Sequence, residues 1–209
     1  MDRADVFVLL DDVQYKKNEW QNRNKIRNPR SSQWLTVPVH YRFGQKINEV
    51  RINNNENWRA KHYKSLDTNY SRARHFGKYA SFFRESYDRE WDLLEDVNFH
   101  FIEYLKDSLG IKTVLARSSS FGVRGRRTRK LVNLCRHLKA DTYISGAGGK
   151  EYLDMDLFRK SGIKLEFQEY VHPAYEQVYD GFQPYMSVVD LLFCHGKKSL
   201  HIIREGRKR

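Results

Sequence analysis

Residues 6–10 (VFVLL) form a short continuous apolar run, the pattern of a fully buried strand. Residues 34–39 (WLTVPV) are rich in strand formers, and Pro38 places them at a strand end or a sheet edge. Residues 47–52 (INEVRI) alternate apolar and polar, as a half-buried strand does. A helix is predicted to open at NNNENW, capped by Asn54 or Asn55, with Trp58, Tyr63 and Leu66 at helical spacing. A longer helix is predicted over 90–109. There Trp91, Leu94, Val97, Phe101, Tyr104 and Leu105 recur at steps of three and four, and Gly110 stops the run.

From 112 onward the pattern reads strand (112–117), helix (128–138), strand (142–144), helix (150–161) and strand (163–167). An apolar helix over 187–195 follows. Strands alternating with helices predict an α/β fold with an open, mostly parallel sheet and flanking helices. The chain reads as one domain over residues 1–203, followed by a basic tail, REGRKR, at 204–209.

Charge narrows the partners. The 209 residues carry a formal net charge of +12, which concentrates phosphates and carboxylates around the protein. Nucleotides, nucleotide-sugars, nucleic acid and anionic membrane faces all qualify. An aromatic share of 14% argues for a packed core despite the 31% of charged residues. No run approaches the roughly 20 apolar residues of a membrane span, and the N-terminus lacks the pattern of a signal peptide. Cys135 and Cys194 sit in apolar helical contexts without metal-ligand spacing, which suits free thiols in the reducing cytoplasm.

Four stretches carry candidate chemistry. The first is TYISGAGGKEYL (142–153), a strand entering a glycine-rich turn and then a helix. Ser145, Gly146, Gly148, Gly149 and Lys150 would let backbone N–H groups and one ammonium cradle a phosphate or carboxylate. A tight turn requiring positive φ would use the same residues. The second is VRGRRTRK (123–130), whose bases include Arg126 and Arg127 and no acid. At a helix start these oppose the macrodipole unless an anion binds, although a solvated basic loop has the same composition. The third is the aromatic segment 169–190, irregular by its prolines and Gly181, with His172 as a candidate general base and the polar pair Gln177 and Gln183. A histidine before proline is also an ordinary packed residue.

The fourth stretch is DDVQYKKNEWQNRNKI (11–26). Acids just past the carboxyl end of a parallel strand lie in the ligand crevice of an open α/β sheet, which places Asp11 and Asp12 there. Adjacent residues on an extended chain point opposite ways, so Asp12 is expected to face the crevice and Asp11 to face away. Gln14, Trp20, Gln21, Asn22, Arg23 and Asn24 have the makeup of a polar-ligand wall: amides and Arg for hydroxyls and phosphate, Trp for a ring face.

DDVQYKKNEWQNRNKI, WLTVPV, the W-x3-H-Y of Trp58, His62 and Tyr63, YISGAGGKEYLD, EYVHPAY and PYMSVVDLLF occur in this order in the WbqC-like protein family, which the chain resembles over about residues 4–196. The resemblance implies a part in bacterial O-antigen or other surface-polysaccharide biosynthesis. It also implies transfer of glycine or another aminoacyl group to a nucleotide-sugar or sugar intermediate. It adds His62 and Tyr175 to the candidate binding residues. On this reading Asp12 orients or deprotonates the acceptor amine. Arg23, Arg126 and the SGAGG backbone hold phosphate, and His172 serves as base or proton shuttle. The acyl donor would be an adenylate, a carrier-protein thioester or an aminoacyl-tRNA. No cofactor or metal is assigned.

The family pattern includes an HQPNYLPW-like strand-loop-helix before the DVFV strand, similar to the nucleotide-binding loop of the HIGH nucleotidyltransferases. This chain begins at MDRADVFV. A non-catalytic nucleotide- or nucleic-acid-binding protein, or a partner in a glycan-assembly complex, stays open beside the enzyme.

Overall fold

The computed structural model describes residues 1–207. Its strands are β1 (Val6–Leu9), β2 (Arg23–Arg27), β3 (Ser32–Thr36), β4 (Val39–His40), β5 (Arg51–Ile52), β6 (Val114–Arg117), β7 (Thr142–Ser145) and β8 (Lys164–Phe167). Its helices are α1 (Trp58–Tyr70), α2 (Phe76–Asp88), α3 (Leu94–Leu109), α4 (Arg127–His137), α5 (Met155–Lys160), α6 (Val188–His195) and α7 (Ser199–Glu205). The chain divides into two compact units. One comprises Met1–Asp12 and Thr113–Val171 with Arg207; the other comprises Val13–Lys112 and His172–Gly206.

The architecture is mixed α/β with small open sheets. The described strands form four two-stranded sheets, and one continuous sheet does not occur among them. In the first unit β1 pairs with β6 in parallel, Val6 opposite Val114 through Leu9 opposite Arg117, and β7 pairs with β8 in parallel. In the second unit β2–β3 and β4–β5 are antiparallel. The run at 6–10 is half-buried where full burial was expected, because β1 has a strand neighbour on one side only.

In the first unit Val132, Cys135, Leu153, Phe158 and Ile163 form the core, which joins α4 and α5 to the β7–β8 pair. In the second unit Phe193 of α6 sits at the centre of an aromatic cluster. Tyr70, Phe76 and Phe83 present ring edges to it at centroid distances of 5.2, 5.1 and 5.3 Å. Ile26 of β2 joins that cluster. A neighbouring cluster gathers Tyr15, Val50, Ile52, Trp58, Trp91, Leu94 and Val97.

Several element boundaries differ from the periodicity for identifiable reasons. Residues 47–49 form a 3-10 turn, and only Arg51–Ile52 of the alternating run is strand. The helix expected from 90 begins at Leu94, because residues 92 and 93 bond to β5: Ile52 N–H donates to Asp92 O at 2.8 Å, and Leu93 bridges Arg51. Its other end is as expected, with Gly110 at φ 77°. Asn54 does not cap α1. Its amide donates to Trp91 O at 2.9 Å, and the helix starts after Asn57. Pro38 separates β3 from β4. β2 and α7 carry no clear sequence signal, whereas α2, which the sequence reading leaves out, has Phe76, Tyr79 and Phe83 at steps of three and four along its buried face. α7 takes in Arg204 and Glu205, and Arg207 pairs with Asp2. The rest of the basic tail, residues 208 and 209, lies outside the described residues.

Candidate functional site

Immediately after β1 the backbone turns back on itself, with Asp11 N–H donating to Leu9 O at 3.0 Å. That three-residue turn ends the extended conformation. The alternation that would send Asp11 and Asp12 to opposite sides therefore fails, and both carboxylates engage the same serine. The Ser118 hydroxyl, just past β6, lies 2.9 Å from Asp11 Oδ1 and within hydrogen-bonding reach of Asp12 Oδ1. Ser119 donates its backbone N–H to Asp11 Oδ1 at 2.9 Å and its hydroxyl to Asp11 Oδ2. Lys130, the fourth residue of α4, donates its ammonium to Asp12 Oδ2. Asp11, Ser118 and Lys130 are buried. The carboxyl ends of two parallel strands thus hold two carboxylates, two hydroxyls and one lysine in direct contact.

The arginine loop leads into the same helix. Arg124, Arg126, Arg127 and Arg129 are exposed, while Lys130 is turned inward to Asp12. Gly125 is required by packing: at φ 139°, a Cβ there would lie 3.0 Å from Lys130 Cα and N. Arg127 adopts φ 50°, a left-handed conformation that costs energy for a side chain of this kind.

The SGAGG segment is a 3-10 turn over Ala147–Glu151, and the following helix is the short α5, capped by Asp154. A helix over 150–161 is therefore not formed, because Asp154 accepts from Leu157 N–H and restarts the helix there. None of the three glycines has positive φ. Gly149 is fixed by close approach, since a Cβ would stand 2.1 Å from Ser145 Oγ. Gly146 and Gly148 face open space. Ser145 is buried with its hydroxyl on Gly146 O at 3.1 Å, and the Lys150 ammonium stands 5.5 Å from the Phe167 ring centroid.

The other sequence candidates belong to the second unit. Gln14 is exposed and bridges Lys46. Gln21 accepts from Lys16 N–H at 2.9 Å, and Asn22 is buried with its amide on Val37 O at 3.0 Å. Asn24 is exposed. Arg23 lies over the Trp34 ring at 4.3 Å, and Trp20 packs against Trp34 at 5.1 Å.

His62 is buried on α1. Its Nε2 lies 3.0 Å from Thr36 O, Trp58 and Tyr87 present edge contacts, and burial lowers its pKa to about 4. His172 packs among Tyr175, Phe182 and Tyr185, its Nδ1 2.9 Å from Pro173 O.

Tyr175 leads to a group that periodicity does not reveal. Its hydroxyl donates to Asp190 Oδ2 at 2.8 Å; Gln177 Nε2 donates to the same oxygen at 2.8 Å, and the Tyr70 hydroxyl to Oδ1 at 2.7 Å. Asp190 is completely buried. Burial first and the adjacent carboxylate second push both tyrosine hydroxyls well above their ordinary range, and the same causes raise the Cys194 thiol to about 12. Gln177 also brackets Gln183, accepting its N–H at 2.8 Å and donating to its carbonyl at 3.0 Å. The buried Arg27 guanidinium donates to the carbonyls of Asn28, Ser31 and Asp180 at 2.6 to 2.9 Å. The irregular aromatic segment is therefore fastened around Asp190 and Arg27. An acid in the middle of the apolar run SVVDLLF, downstream of several Tyr and Gln residues, is the available sequence signal for it. Ser118, Ser119 and Lys130 are likewise contributions that the sequence does not single out.

Among the described residues no group of three or more His, Cys, Asp or Glu is placed to hold a metal ion, and no helix is long and apolar enough to cross a membrane.

Among known proteins, an uncharacterized protein of Mycobacterium tuberculosis, Rv1507c, is 35% identical over 209 residues, covering 98% of this chain and 90% of its own length. No solved structure matches the chain. Residues 1–202 match the WbqC-like family model, a span that includes every residue of the aspartate–serine–lysine cluster and of the Asp190 network. The chain belongs to the WbqC-like protein family.

Proposed function

We propose that this protein transfers an aminoacyl group, glycine in the simplest case, to an amino group on a nucleotide-sugar or sugar intermediate of surface-polysaccharide biosynthesis. The observation that carries the reading is the cluster of Asp12, Asp11, Ser118, Ser119 and Lys130 at the ends of β1 and β6. Ligands of doubly wound α/β proteins bind outside the carboxyl ends of their strands. The parallel β1–β6 and β7–β8 pairs support such a Rossmann-like site, with a HIGH-nucleotidyltransferase-like variant as its finer form. The family match runs across both compact units, which supports one functional domain over residues 1–203.

Aminoacyl transfer forms a C–N bond and breaks the donor's acyl C–O or C–S bond, while the acceptor amine loses one proton and the leaving group gains one. Asp12 accepts the amine proton. Lys130, already bonded to Asp12, is the group through which a proton returns to the leaving oxygen or sulfur. Asp11, held by Ser118 and Ser119, positions that pair. Arg124, Arg126, Arg127 and Arg129 bear the phosphates, and the open faces of Gly146 and Gly148 admit the ligand backbone-close. The free thiols Cys135 and Cys194 suit a cytoplasmic setting.

A second reading is favoured by the saturation of Asp12, which already contacts Ser118 and Lys130: a non-catalytic nucleotide-binding partner in glycan assembly. Incubation with labelled glycyl donors and nucleotide amino-sugars separates the two. Label transfer that falls roughly 100-fold in Asp12→Asn and Lys130→Met supports the transferase. Nucleotide binding without transfer by any donor class supports the partner.

A further inference from the structure

We infer that the second unit carries a docking surface for an anionic phospholipid bilayer, built on the turn at Arg42–Gln45 and the aromatic residues beside it. The turn is well formed. Gln45 N–H donates to Arg42 O at 3.1 Å, the Gln45 side chain accepts from Arg42 N–H at 2.9 Å, and Gly44 supplies φ 85° at the third position. This geometry holds Phe43 out at the tip, where it is 95% exposed. The hydrogen-bonded turn fixes the backbone on either side of Phe43 and so holds its ring in solvent.

The surroundings complete the surface. Tyr15 N–H donates to Gln45 O at 2.8 Å, and the Tyr15 ring meets Tyr41 edge-on at 5.4 Å, which fixes the 15–20 loop beside the turn. Lys17 lies over Tyr41 at 5.4 Å. Trp20 is 59% exposed and lies against Trp34, whose ring also carries Arg23 and Lys25. Between residues 13 and 46 lysine and arginine outnumber acids eight to one, the single acid being Glu19.

An exposed Phe43 on the turn, Tyr41 next to it and the cations Arg42 and Lys17 beside them supply what an anionic bilayer takes up: a ring for the acyl chains, an amphipathic ring for the interface and charges for the headgroups. A single-stranded nucleic acid would use the same charges. It stacks on successive free ring faces, however, and here Lys17 lies over Tyr41 while Arg23 and Lys25 lie over Trp34, so cations already occupy those faces. The occupant is therefore lipid, bound peripherally.

The full-length protein is sedimented with phosphatidylcholine vesicles, with and without phosphatidylglycerol, at low and high salt, and a single-stranded oligonucleotide is titrated in parallel. Binding is expected to the anionic vesicles alone and to weaken with salt. Phe43→Ser should lower vesicle affinity at least about tenfold. Arg42→Glu and Lys17→Glu should each lower it by about fivefold or more. All three side chains are exposed, so thermal melting should be unchanged and confirms that the variants are folded. Equal binding to neutral and anionic vesicles overturns the proposal. So does undiminished vesicle binding by Phe43→Ser, and so does binding of the oligonucleotide but not of vesicles.

Discussion

Acidification should unfasten α1 from the end of β3 through one residue, His62. Its ring is buried, and in the neutral form Nε2–H donates to Thr36 O at 3.0 Å. Burial lowers its pKa from the ordinary 6.5 to about 4. Below pH 6.5 the unfolded chain takes up a proton that the folded chain refuses, so stability falls as pH falls. The slope is about 1.4 kcal/mol per pH unit, and it continues until the folded state also protonates near pH 4. The accumulated loss is about 3 kcal/mol, a large share of the stability of a domain of this size.

His62→Gln keeps a donor for Thr36 O but does not titrate. At pH 7.5 it should be about 1 kcal/mol less stable than the parent for lost ring packing. By pH 4 that order should reverse, the parent having lost about 3 kcal/mol through this group. His100 is also depressed by burial, but it is present in both proteins and cancels in the comparison. Urea unfolding across the pH series, followed by tryptophan fluorescence, gives both curves. Parallel curves from pH 7.5 to 4 would refute the reasoning.

Three further outcomes follow from the packing. Asp190→Ala should cost at least about 3 kcal/mol in denaturant unfolding, because Tyr70, Tyr175 and Gln177 lose their shared acceptor in the core; a loss below about 1 kcal/mol contradicts this. Asp12→Asn should destabilise by roughly 2 kcal/mol by leaving the buried Lys130 ammonium underpaired, and Lys130→Met added to it should recover part of that loss, which a double-mutant cycle measures. Gly149→Ala should lower the melting temperature through its clash with Ser145, whereas Gly148→Ala, which meets open space, should leave it unchanged; equal effects would place the strain elsewhere.

Elements with an unbroken local signal were legible in the sequence. The helix ending at Gly110, the parallel-strand segments at 114–117, 142–145 and 164–167, and the apolar α6 all stand where their periodicity places them. β2 was not legible, because RNKIR becomes a strand through pairing with β3 and through the burial of Ile26, both tertiary facts. The start of α3 was obscured for a similar reason: residues 92 and 93 have helical periodicity, yet they satisfy the backbone of β5.

At the candidate site, the position of the aspartates after β1 was legible. Their joint orientation was not, since one backbone hydrogen bond from Asp11 to Leu9 cancels the alternation on which that inference depends. Nothing in VRGRRTRK distinguishes Lys130 from its four exposed neighbours. The distinction arises from helical phase, which turns Lys130 toward Asp12 and leaves Arg127 and Arg129 in solvent, while Arg124 and Arg126 precede the helix.

The central claim is that the end of β1 and β6, with its arginine loop, receives a phosphate-bearing sugar. Calorimetric titration of the full-length protein with a nucleotide-sugar and with the corresponding neutral sugar, repeated on Arg126→Ala and Arg127→Ala, tests it most directly. Both arginines are exposed, so the variants are expected to melt with the parent, which a thermal scan checks. The account predicts that the nucleotide-sugar loses about tenfold or more in affinity in these variants, as expected for a charge-assisted bond of about 1.5–3 kcal/mol, while any binding of the neutral sugar is unchanged. Unaltered nucleotide-sugar affinity in both variants, or no binding by the parent protein, would contradict it.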